Sequence, residues 1–303
     1  MSIQAEPFSP VQQTAKAEVI NRPSTTLWQD ARRRFRMNPL AMGGLFVLIL
    51  IILYALLGPF LSHFNYYSND LHATLIPPSW AHPFGTDELG RDILTRTMYG
   101  TRISLVIGFG SVLINLTIGI FYGGISGYFG GRIDNFMQRL IDIIFSIPDL
   151  LYVILLMVTL GAGLKNIFIV LGLVNWVPMA RIVRGQILAL REQEFVLAAR
   201  TLGASTRRIL MKHLLPNSIG QIIVVAALQV PAAIFMEAFL SFIGLGIQPP
   251  LVSLGYMAAE GRVDIPAYPF ALFFPAVLIA ILMLAFNFVG DGLRDAFDPK
   301  MRK

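Results

Sequence analysis

The 303-residue sequence predicts an all-α integral membrane protein with six transmembrane helices. Three observations carry that expectation. The chain is 55% hydrophobic and only 14% charged, whereas soluble domains carry roughly 25% charged residues. Its mean hydropathy is +0.65. Runs 40–62, 103–131, 214–236 and 265–290 contain no Lys, Arg, Asp or Glu, and each exceeds the roughly 20 residues that cross a bilayer as a helix. Such helices satisfy their own backbone hydrogen bonds, which lipid cannot do.

Residues 1–39 are polar and mixed in charge, as expected of a cytoplasmic segment. Within them, Trp28 and Phe35 share a helical face beside Arg32, the pattern of an interfacial helix on lipid headgroups. The apolar run that follows outlasts the roughly 7–15-residue core of a cleavable signal, so it reads as a retained anchor. Spans are expected at about 40–61, 103–127, 137–160, 166–184, 217–243 and 268–290. Asp142 and Asp149 sit near the start of the third, which makes it less regular than the others. Segment 62–102 forms a longer external loop with Pro77-Pro78. Segment 244–267, with Gly244, Gly246, Pro249-Pro250 and Gly255, reads as a second external loop rather than a helix. The core runs 103–290 and includes a cytoplasmic loop at 185–216, and 291–303 forms a tail. No internal repeat is evident.

Charge placement sets the orientation. With the N-terminus inside, 19 of the 24 Lys and Arg residues fall on one side, among them Lys16, Arg22, Lys300, Arg302 and Lys303. Arg91, Arg96, Arg102, Lys165 and Arg262 fall on the other. The positive-inside bias therefore places both termini in the cytoplasm. The net charge of +6 then serves topology, and nucleic acid is not expected as a partner. Zero cysteines exclude disulfides, thiolate metal sites and a Cys nucleophile. His63, His72 and His82 lack metal-ligand spacing, so no metal is expected. No nucleophile–base pair is evident and no catalytic residue is assigned.

The stretch from Glu194 to Asn217 is unlike its surroundings. Phe195, Ala198, Ala199 and Leu202 recur at helical spacing and give one apolar stripe. Gly203 suits a left-handed turn, Ser205 or Thr206 a helix cap, and Pro216 the first turn of the next span. Arg207, Arg208 and Lys212 hold the segment outside lipid. From pattern alone, an amphipathic connector resting on the membrane is the simpler reading.

The same residues carry a resemblance. Ala198-Ala199, then Gly203, then Leu215-Pro216 resembles the loop by which binding-protein-dependent ABC importer permeases engage their ATPases. Leu197 stands at the usual glutamate position and His213 at a usual isoleucine. Phe84-Gly85-Thr86-Asp87-Glu88-Leu89-Gly90-Arg91-Asp92 is similar to the block before the second span of oligopeptide and dipeptide permeases. So is Leu240-Ser241-Phe242-Ile243-Gly244-Leu245-Gly246 with Pro249-Pro250 to their external loop, although Leu254 replaces a usual Trp. Phe286-Asn287-Phe288-Val289-Gly290-Asp291-Gly292-Leu293-Arg294-Asp295 with Asp298-Pro299-Lys300 resembles their C-terminal signature. The chain is thereby identified as a member of the OppC/DppC-like group, and Leu27-Trp28-Gln29-Asp30-Ala31-Arg32-Arg33-Arg34-Phe35 leans to the oligopeptide branch.

That resemblance implies a type I ABC importer permease of the MetI-like fold in the bacterial cytoplasmic membrane. It implies a homologous second permease (OppB-like), two ATPase subunits (OppD- and OppF-like), an extracellular peptide-binding protein (OppA-like) and a peptide cargo. Phe195, Ala198, Ala199, Leu202, Gly203, Ser205, Arg207 and Arg208 would then form the coupling surface. The sequence has no phosphate-cradling Gly-x-x-x-x-Gly-Lys-Ser/Thr loop, so no cofactor is expected on this chain; ATP and Mg would sit in the ATPases.

Polar residues within spans are the candidates for the cargo path. Glu237 faces a cavity or holds a neighbouring helix, with neither reading preferred. Asn115 and Asn287 fit interhelical hydrogen bonds at least as well as ligand contacts. Asp134, Arg139 and Asp142 are expected to pair at the cytoplasmic end of the third span. Asp87, Arg91 and Asp92 form an external motif that orders a loop or meets the binding protein. The same fold with a dipeptide, nickel-complex or glutathione cargo is the near alternative. A secondary transporter would show repeated halves and paired midplane polar residues, and neither is present.

Overall fold

The computed structural model describes residues 26–263 and 265–298. Lys16, Arg22, Pro299, Lys300, Arg302 and Lys303, invoked above, lie outside the described residues, as do residues 1–25 of the N-terminal segment. The described residues form α-helices joined by loops, with no strand among them.

Helix α1 (Leu27–Met37) opens on a capping box, in which the Gln29 N–H donates to Thr26 Oγ1 at 3.3 Å and the Thr26 N–H to Gln29 Oε1 at 3.1 Å. It also grips the C-terminal helix: Trp28 meets Phe297 edge-on at 5.5 Å, and Arg34 donates to the Asp298 carbonyl at 3.4 Å. Asn38 then caps α2 (Pro39–Leu61), with Pro39 in the first turn where its missing N–H costs nothing.

Helix α3 spans Ile93–Phe129, so the external segment expected at 62–102 is loop only as far as Asp92. Arg96 and Arg102 had bounded the uncharged run, but Asp92 caps the helix earlier by accepting from the Thr95 N–H at 2.7 Å. Its 37 residues rise about 55 Å, well beyond a hydrocarbon core of about 30 Å. The third span is broken into α4 (Gly131–Phe145) and α5 (Asp149–Leu160), bent by 74°. Pro148 is the cause, since it lacks the N–H a continuous helix needs and clashes with the turn before it. The fourth span is α6 (Leu164–Val174) and α7 (Trp176–Arg191), nearly continuous through Asn175.

Next come α8 (Glu194–Thr201), α9 (Thr206–Ile209) and a π-turn at Leu210–Leu214 that runs into α10 (Leu215–Phe242). The loop expected at 244–267 contains a helix, α11 (Leu254–Gly261), capped by Ser253. Gly255 there is not a breaker: a Cβ on it would lie 2.4 Å from the Ala238 Cα, so glycine permits the contact with α10. Finally α12 spans Phe270–Phe297, so most of the expected 291–303 tail is helical. Asp291, Arg294 and Asp295 extend it without burial, and Asp295 accepts from Asn38 at 3.4 Å.

Among the described residues, five helical stretches are long and apolar enough to cross a membrane, and the bent α4–α5 pair makes a sixth when counted as one span. Helix α3 is the central post. Gly119, Gly123 and Gly127 line its seam with α7, where a Cβ on Gly123 would fall 2.3 Å from the Ala180 carbonyl. Small residues let helices approach this closely where lipid removes the hydrophobic drive between them. On the other flank, Leu105, Val112, Val230, Ile234, Leu282 and Phe286 join α3, α10 and α12 to α2 in one core.

Candidate functional site

Three places hold the residues singled out by sequence. The first is the α8–α9 corner. Helix α8 packs a single side chain inward, Val196, which is fully buried with Ile209, Leu214, Met179, Val183, Ile187 and Ile222. The predicted stripe points the other way: Phe195 is 42% and Leu202 87% exposed, Ala198 is exposed and Ala199 half-buried. Gly203 adopts φ +78° with nothing within 4 Å of a built Cβ. Ser205, not Thr206, is the cap of α9, accepting from the Arg208 N–H at 3.4 Å. Arg207 and Arg208 are exposed. The corner therefore presents an apolar strip and a basic turn on a backbone anchored from behind. Sequence reasoning missed Val196; in so short a helix, periodicity does not say which face turns inward.

Two ion pairs tie α4 to α7. Arg184 donates to Asp134 through Nε and one terminal nitrogen, each at 2.6 Å, and Ser126 donates to the same carboxylate at 2.5 Å. Arg181 meets Asp142 at 3.0 Å. The expected trio within the third span is thus replaced by pairs across to α7, and Arg139 is exposed outside both. Arg191 donates to the Gly127 and Tyr128 carbonyls at 3.1 and 3.3 Å, closing the end of α3.

The second place is Glu237. It is fully buried, and its carboxyl group accepts from Ser253 at 2.6 Å, Ser241 at 2.7 Å and Ser104 at 3.3 Å. Each hydroxyl in turn accepts a backbone N–H, from Tyr256, Ile247 and Leu254. The cage ties α3, α10 and α11 together. Asn115 is buried with its Oδ1 unpaired, whereas Asn287 is exposed on α12.

The third place is the external motif, and Asp87 is its hub. Its carboxylate accepts from the Leu89 and Arg91 N–H groups at 2.9 and 3.0 Å, from Arg91 Nε at 2.7 Å, and from Arg96. Glu260 of α11 completes the square, taking Arg91 at 3.0 Å and Arg96 at 2.7 Å. Burial alone would lower the Arg91 pKa, but Asp87 and Glu260 outweigh it and raise it above the usual value. Asp92 does separate work, capping α3 and meeting His82 Nδ1 at 2.9 Å. Glu260 was not found by sequence, because its partners lie 164 and 169 positions away.

Beside this square, Tyr66, Tyr67, Tyr256 and the Pro249-Pro250 turn enclose a cavity of about 480 Å³. No group of His, Cys, Asp or Glu among the described residues is arranged to hold a metal.

Comparisons with known proteins agree with this architecture. Residues 115–303 match the family described as binding-protein-dependent transport system inner membrane component. Residues 26–78 match the N-terminal TM domain of oligopeptide transport permease C. The chain is 53% identical to the oligopeptide transport system permease protein OppC of Bacillus subtilis, over 95% of this chain and 94% of that one. It is also 53% identical to the dipeptide transport system permease protein DppC of the same organism, over 95% and 90%. To the Escherichia coli K12 OppC it is 46% identical, over 91% and 92%. The fold matches a chain of the inward-facing MetNI methionine ABC transporter with TM-score 0.52 at 20% identity, covering 65% of this chain and 94% of that one. A multi-pass bundle on the MetNI permease fold, matched from end to end by relatives above 50% identity, leaves one assignment: the chain belongs to the binding-protein-dependent transport system inner-membrane components, in their OppC/DppC group.

Proposed function

We propose that the chain is a permease subunit of an ATP-driven peptide importer, and that it forms half of the translocation pathway. One observation carries the reading: near end-to-end identity of 53% with permeases named for oligopeptide and dipeptide transport. The chain is a non-catalytic subunit, and ATP and Mg are held by two partner ATPases. A homologous second permease completes the pathway, and an extracellular peptide-binding protein delivers cargo. Both termini lie in the cytoplasm, and α8 docks on an ATPase through Phe195, Ala198, Ala199 and Leu202. Supporting that docking, Phe195, Ala198 and Leu202 are exposed and Ala199 is half-buried, while Val196 fastens the helix from behind.

Uptake of di-, tetra- and hexapeptides by a deletion strain carrying this chain tests the cargo. Oligopeptide uptake is expected, and rescue by nickel alone would overturn it. Gly203 tests the coupling. Gly203→Ala meets only the left-handed backbone cost of about 1–2 kcal/mol, because its Cβ projects into open space. Gly203→Trp adds bulk on the docking side. The tryptophan variant is expected to reach the membrane yet lose uptake, while the alanine variant retains most of it. Equal behaviour of the two would refute docking at this turn.

A further inference from the structure

Between α4 and α5 the backbone leaves the helix at Ser146, Ile147 and Pro148. Pro148 has no N–H to offer the Ile144 carbonyl, and it disfavours the helical conformation at Ile147. The depth of this break follows from its neighbours. Ile141 and Ile144 pack with Ile118 and Tyr122 of α3 and Trp176 of α7. Ile118 and Tyr122 lie inside the uncharged run 103–131, so the break sits at membrane depth. Unpaired backbone there is tolerated only if protein buries it or water reaches it.

This chain does not bury it. All five residues from Phe145 to Asp149 are exposed, and the polar Ser146 and Asp149 are among them. Of these, Phe145, Ile147, Pro148 and Asp149 border, with Ile144, Tyr152 and Val174, an open cavity of about 260 Å³. Asp134 and Asp142 have arginine partners across α7, but Asp149 has no cation among the described residues; its Oδ1 accepts only the neighbouring Leu150 N–H, at 2.8 Å. A carboxylate in a span ordinarily faces a partner or a watery cavity rather than lipid.

We propose that the α4–α5 break is this subunit's wall of the aqueous cargo path, and that Asp149 there meets the ammonium terminus of a passing peptide. The second clause rests on the peptide-importer reading; the first does not. The wall explains why a proline is placed where it breaks a span. The freed carbonyls accept hydrogen bonds without regard to side chains, which suits a path for varied peptides; the Ser146 hydroxyl is turned back onto the Ile143 carbonyl at 2.7 Å. Asp149 adds a single charge that every free amino terminus can use.

The natural absence of cysteine allows the test in the assembled transporter. Single cysteines at Ser146, Asp149 and Tyr152 are exposed to a charged, membrane-impermeant thiosulfonate, with Phe46→Cys and Leu113→Cys as lipid-facing controls. Labelling at the break is expected to be faster than at the controls by on the order of ten-fold, and saturating tripeptide should slow it. Labelling as slow as the controls overturns the wall, and so does fast labelling that peptide leaves unchanged in a transporter shown to import that peptide. In Asp149→Asn, uptake of free peptides relative to N-acetylated ones should fall by up to about five-fold. An equal fall for both overturns the ammonium contact. Failure of the unmodified transporter to import any peptide would instead overturn the peptide reading, and would leave the labelling result standing.

Discussion

Glu237 is where the cage reading and a cargo-contact reading predict opposite results. Replacing it by alanine removes the acceptor for Ser253 at 2.6 Å, Ser241 at 2.7 Å and Ser104 at 3.3 Å. Each buried hydroxyl left without an acceptor costs about 1–3 kcal/mol. Only the two short bonds count fully, so the expected loss is about 4 kcal/mol, offset in part because no buried carboxyl group then has to be desolvated. In a chain of 303 residues that corresponds to a fall in Tm of about 6 °C. Glutamine keeps an oxygen for Ser241 and Ser253 and loses only the weakest bond, so its cost is about 1 kcal/mol. The assay is thermal unfolding of the detergent-purified transporter, read beside peptide uptake at a permissive temperature. Stability should follow the order wild type, glutamine, alanine, and uptake by the glutamine variant should stay near normal. A glutamine variant as stable as wild type yet unable to import peptide would refute the structural assignment and return Glu237 to the cargo path.

Other perturbations separate the parts of the molecule. Glu260→Gln leaves the 3%-exposed Arg96 side chain with Asp87 as its one anionic partner, and should lower stability by about 1–3 kcal/mol in the same melt; an unchanged melt would mean the square carries no weight. Burial, and then the Glu260 carboxylate, push the Tyr256 pKa up from 10.0 to about 12. The folded state thus holds this proton more tightly, and the associated stability is intact below pH 10 and lost as pH rises towards 12. Tyr256→Phe should remove that alkaline step from the unfolding profile. Val196→Asp buries an unpaired charge and should loosen the α8–α9 corner by on the order of 3 kcal/mol or more, read as faster tryptic cleavage at Arg200, Arg207 and Arg208. Phe195→Asp, on the exposed face, should keep wild-type protease resistance and still lose uptake.

The uncharged runs located the spans because lipid penalises charge along a helix whatever its contacts. Where helices outgrew those runs, tertiary partners had removed the penalty or the helix had left the membrane. Arg96 extends α3 because Asp87 and Glu260 neutralise it. Asp291 and Arg294 extend α12 because they remain exposed beyond the core. Helix α11 was hidden because Gly255 looks like a breaker, and only contact with Ala238 reveals it as a spacer. The motif residues Asp87, Arg91 and Asp92 were legible as a unit because they are adjacent in sequence. Their partner Glu260 was not, since nothing local encodes a contact 169 positions away. Asp149 was visible only as an irregularity in a span, because its exposure depends on where the break turns it.

The corner at α8 and α9 acquires mechanical meaning from what Val196 touches. Its cluster contains Met179, Val183 and Ile187 of α7 and Ile222 of α10, with Leu116, Ile120 and Tyr128 of α3 beside them. Close-packed interiors transmit displacement rather than absorb it. Under the docking proposed above, a push on the outward stripe would bear on α7 and α10 together, and α7 is packed on α3 along a seam where Gly123 leaves no room for a methyl group. Between α9 and the long α10 lies a π-turn at Leu210–Leu214, a feature frequent at functional sites within helices. Displacement of α8 would then carry α7 and the adjoining half of α3 with it, and α10 would take up the change at that π-turn. Glu237 joins the far end of α10 to α3 and α11, so the displacement would be passed to the opposite end of the bundle.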